Sequence, residues 1–199
     1  MCRRGSSDPQ VLWETFQGGA HLRRRNLPDL ATIVDLGSNV GYTLLHFASL
    51  YPAARLIGVE PDPGNMSIAR RNVGRLGSRC VLIEAAIWTR DGEICYGGEQ
   101  EWAYSVIGNR LDKRARSLTL QTLFREESLA RVDYLKMDIE GAEAAIFSQD
   151  LSWAEVVRSM HIEVHPPAEL DDIINKLTAL GYACEVEPRL HPAIYAERR

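Results

Sequence analysis

Four clusters of ionisable residues in the 199-residue sequence fall where runs of apolar, often β-branched residues stop. Asp35 follows Thr32-Ile33-Val34 and leads, after Leu36, into Gly37-Ser38-Asn39-Val40-Gly41. Glu60 ends Arg55-Leu56-Ile57-Gly58-Val59, before Pro61-Asp62-Pro63. Lys136, Asp138, Glu140 and Glu143 crowd one apolar run, and Glu163 and His165 close another. An acid at the end of a strand, then a turn bounded by glycines, lets the backbone approach a ligand at the amino end of the next helix. An acid about 20 residues after such a turn is placed to accept hydrogen bonds from both hydroxyls of a ribose, the role expected of Glu60. Charges around a buried strand are costly unless they are used. Asp138, with Glu163 and His165, can take a proton from a hydroxyl or hold a hard divalent cation such as Mg2+.

The elements that must position these groups follow from periodicity. The spacing predicts a buried strand over about 31–36 and a helix over about 41–50, with Leu44, Leu45, Phe47 and Ala48 turned inward. A second strand over 55–60 precedes a helix capped by Asp62 and begun by Pro63, with Met66, Ala69, Val73 and Leu76 at helical spacing and an end at Gly77. A third strand runs from Cys80 to Trp88, and its small Ala85-Ala86 step can let an adenine lie flat. A turn at 89–92 and a short strand at 93–96 open a polar excursion from Glu99 to Arg116, where Trp102, Tyr104 and Ser105 are expected to form part of an acceptor pocket. A fourth strand carries Val132, Tyr134, Leu135, Met137 and Ile139, and a fifth runs from Val156 to Val164. A helix over 170–180 ends at Gly181, and Cys184–Glu187 pairs with Ala193–Ala196 as a final antiparallel couple. Residues 1–10 read as loose. Val11, Leu12, Trp13 and Phe16 then form a short apolar face that packs on the domain or covers its site. The expected division is an N-terminal segment over 1–30 and one α/β domain over 31–199.

Composition narrows the classes. With 45% hydrophobic and 25% charged residues, the chain can bury one sizeable core. A net charge of −4 supplies no overall basic field for nucleic acid or an anionic membrane, although Arg3, Arg4 and Arg23 to Arg25 make the start locally basic. Cys2, Cys80, Cys95 and Cys184 form no C-x-x-C pair, so neither a zinc site nor a disulfide framework is indicated, and a reducing cytoplasm fits. No stretch approaches a membrane span, and the start has no signal-peptide apolar core.

The turn after Asp35 lacks the middle glycine of G-x-G-x-x-G and the lysine of a P-loop. Its D-x-G-x-x-x-G spacing resembles motif I of S-adenosylmethionine (SAM) methyltransferases. Asp35 to Tyr42, Val59 to Pro63, Asp133 to Glu143, Ile162 to Pro166 and Gly181-Tyr182 together resemble the successive motifs of the FkbM family of SAM-dependent methyltransferases. Leu135-Lys136-Met137-Asp138-Ile139-Glu140-Gly141-Ala142-Glu143 is the most specific of them. The resemblance implies a Rossmann-like seven-stranded methyltransferase sheet in the order 3-2-1-4-5-7-6, its last strand antiparallel, with helices on both faces. It implies O-methylation of a sugar, glycolipid or polyketide-type hydroxyl. SAM is then expected against Asp35, Gly37, Ser38, Asn39, Gly41, Glu60, Pro61, Ala85, Ala86 and Asp138, with Asp138, Glu163 and His165 serving the acceptor or a metal. Gln121 stands where relatives commonly have aspartate. The partner expected is a hydroxylated small molecule rather than nucleic acid, because the D-P-P-Y or N-P-P-Y strand end used on bases is absent. The competing readings are an NAD-binding Rossmann oxidoreductase and a scaffold of the same fold without catalysis.

Overall fold

The computed structural model describes residues 1–19, 21–22, 30–98, 104–107, 111–187 and 192–199. A short helix, α1 (Asp8–Trp13), precedes the alternating units β1 (Thr32–Leu36), α2 (Tyr42–Leu50), β2 (Arg55–Glu60), α3 (Pro63–Val73) and β3 (Cys80–Glu84). Three short strands follow: β4 (Ala86–Ile87), β5 (Gly92–Tyr96) and β6 (Lys113–Leu118). The chain then runs through α4 (Leu120–Glu126), β7 (Val132–Met137), α5 (Glu143–Phe147), β8 (Val157–Glu163), α6 (Leu170–Ala179), β9 (Tyr182–Glu187) and β10 (Ala193–Arg198).

Seven strands form one sheet in the order β3-β2-β1-β7-β8-β10-β9, which is 3-2-1-4-5-7-6 when only its own strands are counted. The first five are parallel, and β10 lies antiparallel to both β8 and β9. Alternation across the pleat sorts the core into two faces. Ile33 is in register with Leu56 and Tyr134, which share a cluster with Leu44 and Phe47 of α2. Val34 is in register with Ile57 and Leu135, which belong to a larger cluster with Phe147, Trp153 and Leu177. Every residue of β7 is buried, Lys136 included. No helix among the described residues is long and apolar enough to cross a membrane.

Several expectations are corrected. The third strand does not run through to Trp88. The Ala85 N–H turns to the Glu60 and Ile83 carbonyls, at 3.2 and 3.1 Å, and Ala86–Ile87 leaves the main sheet to pair with β6. With β5 these strands form a second, three-stranded sheet, so the excursion over 99–116 ends in a strand that polarity concealed. Asp62 caps α3 by accepting the Asn65 N–H at 2.9 Å, as expected, but the helix ends at Val73 and a 3-10 turn covers Gly74–Arg79. Ile139 lies beyond the end of β7. Residues 1–10 are held rather than loose. Arg3 pairs with Asp8 at 2.7 Å and donates to Asn65 at 3.0 Å, while the Tyr42 hydroxyl donates to the Met1 carbonyl at 2.7 Å. Further along, Phe16 stacks on His46, which in turn meets His21 edge to face. Trp102 and Arg23 to Arg25 lie outside the described residues.

Candidate active site

The carboxyl ends of β2, β1, β7 and β8 meet at a cavity of about 540 Å3. Of the residues the sequence singled out, Gly37, Ser38, Asn39, Glu60, Pro61, Ala85, Ala86, Asp138, Glu163 and His165 line it. Asp35 and Gly41 do not. Asp35 sits wholly buried behind the wall, accepts from the Thr43 hydroxyl and pairs with Lys136 Nζ at 3.1 Å. Gly41 has φ +81°, and a Cβ there would press on Val73 at 3.2 Å.

The turn after β1 works differently from a phosphate cradle. The N–H groups of Gly37 and Ser38 donate to the Val59 carbonyl at 3.0 and 2.9 Å, that of Asn39 to Glu60 Oε2 at 3.0 Å, and that of Gly41 to the Ser38 carbonyl at 2.8 Å. Those amides are spent within the protein. Gly37 is required because, at φ +78°, a Cβ would stand 1.9 Å from the Asp138 carbonyl oxygen. The glycine therefore admits the neighbouring backbone at the end of β7, not a ligand. Ser38 and Asn39 line the cavity, while their Oγ and Oδ1 atoms are themselves buried with no hydrogen-bond partner among the described residues.

Glu60 is fixed from both sides. Its Oε2 accepts from Asn39, and its Oε1 accepts the Asp62 N–H at 2.9 Å and Asn65 Nδ2 at 3.3 Å. A carboxylate has about four acceptor positions, so one remains, on Oε2. Two ribose hydroxyls cannot both be accepted at full strength. Burial pushes the Glu60 carboxyl up to about 7, against the lowering effect of these donors. Beside it, Asp62 Oδ2 takes Lys113 Nζ at 2.6 Å and the Tyr96 hydroxyl at 3.2 Å, and Lys113 lies over the Tyr104 ring, 3.8 Å from its centre. This arrangement holds Tyr104 at the cavity wall. Ser105 acts from behind, donating to the Glu140 carbonyl and pairing with Gly97.

On the other side of the cavity, Lys136 Nζ lies 3.1 Å from Asp35, 3.4 Å from Asp138 Oδ2 and 3.3 Å from the Gly37 carbonyl. Burial alone would lower its pKa, but Asp35 and Asp138 outweigh burial and raise it, so the ammonium is retained. His165 Nδ1 meets Glu143 Oε1 at 3.2 Å, and the same Glu143 oxygen accepts the Ile139 N–H. Nε2 faces Asp138 at 3.9 Å, Glu140 at 3.7 Å and Glu163 at 3.7 Å. Burial disfavours the imidazolium, yet the Glu143 hydrogen bond and the charges of Asp138 and Glu140 raise His165 to about 9. Burial, then Asp138, pushes Glu140 up to about 7. Single ligand atoms of Asp138, Glu163 and His165 lie within 4.8 Å of one another.

Sequence reasoning did not assign site roles to Lys136, Glu140 or Glu143. All three stood in the charge cluster, but only the register of β1 on β7 shows Lys136 opposite Asp35. Trp13, Thr15, His21 and His161 also line the cavity. Of the apolar face at 11–16, Val11 and Trp13 border the cavity while Phe16 packs on His46 of α2, so the segment both packs on the domain and borders the site.

Comparison with known proteins agrees with this architecture. The chain is 32% identical over 130 residues to the 2-O-methyltransferase NoeI of Sinorhizobium fredii, a match covering 62% of this chain and 52% of that protein. It is 26% identical over 125 residues to the O-methyltransferase imqG of Aspergillus flavus, covering 53% and 51%. It thus spans about half the length of these curated relatives. The crystal structure of Methyltransferase FkbM from Methylobacillus flagellatus KT superposes with a TM-score of 0.63 at 17% identity, over 93% of this chain and 47% of the other, which shows the shared fold. The family model described as the Methyltransferase FkbM domain matches residues 35–184, from the buried acid of β1 to the middle of β9. That span takes in every strand end that builds the cavity, and the chain belongs to the FkbM methyltransferase family.

Proposed function

We propose that the chain is an S-adenosylmethionine-dependent O-methyltransferase acting on a hydroxyl of a sugar, glycolipid or polyketide-type small molecule. The observation that carries this reading is one cavity with two chemically distinct ends. The end at β2 and the β1 turn is lined by Glu60, Ser38 and Asn39; the end at β7 and β8 is lined by Asp138, Glu163 and His165. The first set suits a nucleoside joined to an amino acid, with Glu60 on a ribose hydroxyl and the Ala85-Ala86 step beside the base. The amides of Gly37, Ser38, Asn39 and Gly41 are already used internally, which favours a cofactor without a pyrophosphate over a dinucleotide.

S-adenosylmethionine supplies an activated methyl group on sulfonium sulfur. The chain's own residues must then align the acceptor oxygen and take its proton. Asp138 is the group proposed to take it, held by Lys136 on one side and open to the cavity on the other. His165, oriented by Glu143, stands next to it. Three carboxylates at this end repel a phosphate backbone, which supports a small-molecule acceptor over nucleic acid. The names of NoeI and imqG support oxygen as the methylated atom. Four free thiols fit a cytoplasmic protein. The test is calorimetry with S-adenosylhomocysteine and NAD, followed by a screen of hydroxylated acceptors with mass detection of one added CH2. Binding of NAD alone, or cofactor binding with no methylated product from any hydroxyl class, would overturn the reading.

A further inference from the structure

We infer that the mouth of the cavity docks on an anionic lipid bilayer, so that the acceptor hydroxyl is delivered by a lipid headgroup at the membrane surface. Two stretches outside the main sheet border the cavity, one within 7–18 and one within 104–107. Both carry apolar surface that nothing covers. Of the eight large apolar side chains exposed among the described residues, Leu12, Trp13, Phe16 and Ile107 stand in these two stretches, and Trp13 is 68% exposed. Helix α1 continues into a π-helical turn over Glu14–Gly18. At about 100° per residue, Leu12, Trp13 and Phe16 fall within one arc of roughly 100°, while Val11 and Thr15 line the cavity. Large apolar groups gathered on the rim of a cavity mark a contact surface rather than a core. Tryptophan is favoured where headgroups meet acyl chains, because its ring is apolar and its N–H is not.

The charge around this rim selects an anionic surface. Arg4, Arg71 and Arg75 are exposed and make no ion pair among the described residues. Arg71 Nη1 lies 3.5 Å from Met1 Sδ, which sets the basic end of α3 against the start of the N-terminal segment. The acids of that segment offset little of this charge: Asp8 is buried against Arg3, and Glu14 accepts from Gln10 Nε2 at 2.9 Å. The net charge of −4 does not oppose docking, since physiological salt screens charges beyond about 8 Å. Arginines beside an apolar rim that bears a tryptophan are the two components of interfacial binding. A second copy fits the rim less well, because a two-fold contact would bring the same arginines of both copies together. That the headgroup carries the methyl acceptor rests on the proposed methyl transfer; the docking does not.

The test is co-sedimentation of the full chain with vesicles of phosphatidylcholine, alone or with about 30% phosphatidylglycerol, read with tryptophan emission and without cofactor or acceptor. Binding to the anionic vesicles is expected on the order of 0.1 mM lipid, and at least about tenfold weaker on phosphatidylcholine or in ~0.5 M salt. Arg71→Gln and Arg75→Gln should each weaken it roughly fivefold while keeping the melting temperature and the affinity for S-adenosylhomocysteine. Trp13→Ser should weaken it at least about fivefold. Trp13→Phe should retain binding and lose the blue shift of emission that the wild type shows on vesicles. No binding to anionic vesicles at millimolar lipid and low salt, equal binding to neutral ones, or full binding by these arginine variants and Trp13→Ser would overturn the inference. So would a dimer in analytical ultracentrifugation that Trp13→Ser dissociates, because it would assign the rim to a second copy. Vesicle binding with no methylated product, lipid or soluble, would count against the proposed function and leave the docking surface standing. Methylation of a water-soluble acceptor by a chain that does not bind vesicles would do the reverse.

Discussion

Glu60→Ala tests the cofactor end of the cavity, and its size can be worked from the hydrogen bonds. Three of the carboxylate's acceptor positions serve Asn39, Asp62 and Asn65, so the ligand gains one charged hydrogen bond at full strength. Losing it costs about 1.5–3 kcal/mol, or roughly 10- to 150-fold in Kd. The pH dependence gives a second, sharper reading. The folded carboxyl titrates at about 7, against an ordinary 4.5, because it is buried. A ribose hydroxyl bonds best to the ionised form, so affinity should fall as pH drops below about 7, approaching tenfold per unit until the carboxyl of the complex is itself protonated. Folding runs the other way. A raised carboxyl pKa means that the contribution of Glu60 to stability is complete below about 4.5 and is lost as pH rises through about 7, a swing on the order of 3 kcal/mol. Calorimetry with S-adenosylhomocysteine between about pH 5.5 and 8.5, on wild type and Glu60→Ala, measures both effects. A flat wild-type profile, or the same slope in the variant, would refute the placement of Glu60 on the ribose.

Three further outcomes are expected. Asp138→Asn should lower kcat by roughly 10²-fold or more with little change in S-adenosylhomocysteine affinity; near-normal turnover with saturating cofactor would move the proton to Glu163 or His165. Gly37→Ala forces a Cβ onto the Asp138 carbonyl and should destabilise the fold by about 2–4 kcal/mol, seen as a melting-temperature loss of roughly 5–15 °C. Lys113→Met removes the ion pair to Asp62 and the contact over Tyr104, for about 1 kcal/mol. Lys113 and the Asn65 N–H hold Asp62 below its ordinary value despite burial, so that loss should be measurable in urea melts above about pH 4 and vanish as pH falls through the lowered Asp62 value.

The main sheet was legible because independent local signals agreed on it. The runs at 32–36 and 55–60 are short, β-branched and bounded by turns, and Asp62-Pro63 supplies both a cap and a first helical residue. The small sheet was not legible because its strands carry few apolar residues and pair across long separations. In β6, Lys113-Arg114-Ala115-Arg116 alternates, but the outward positions are arginines that reach Glu93 and Glu126. Alternation among charges reads as a solvated loop. The break after β3 depends on Ala85 bonding to Glu60, a contact that no periodicity encodes.

The candidate site shows the same division at a finer scale. Parallel strands place their carboxyl ends on one rim, so acids at several strand ends are neighbours before any coordinate is known. What the rim does with them depends on partners offset in sequence. Asp35 stays behind the wall because Lys136 and Thr43 enclose it, whereas Asp138, one strand away, reaches the cavity with Lys136 claiming one of its oxygens. His165 could be read as a base from its type alone. Its surroundings point elsewhere: Nδ1 is committed to Glu143, and Nε2 faces carboxylates of Asp138, Glu140 and Glu163 at 3.7 to 3.9 Å, which favours a ring that already carries its proton. A proton on Nε2 offsets part of that negative charge. The proton-accepting role proposed for the site therefore falls to Asp138, whose second oxygen is open to the cavity.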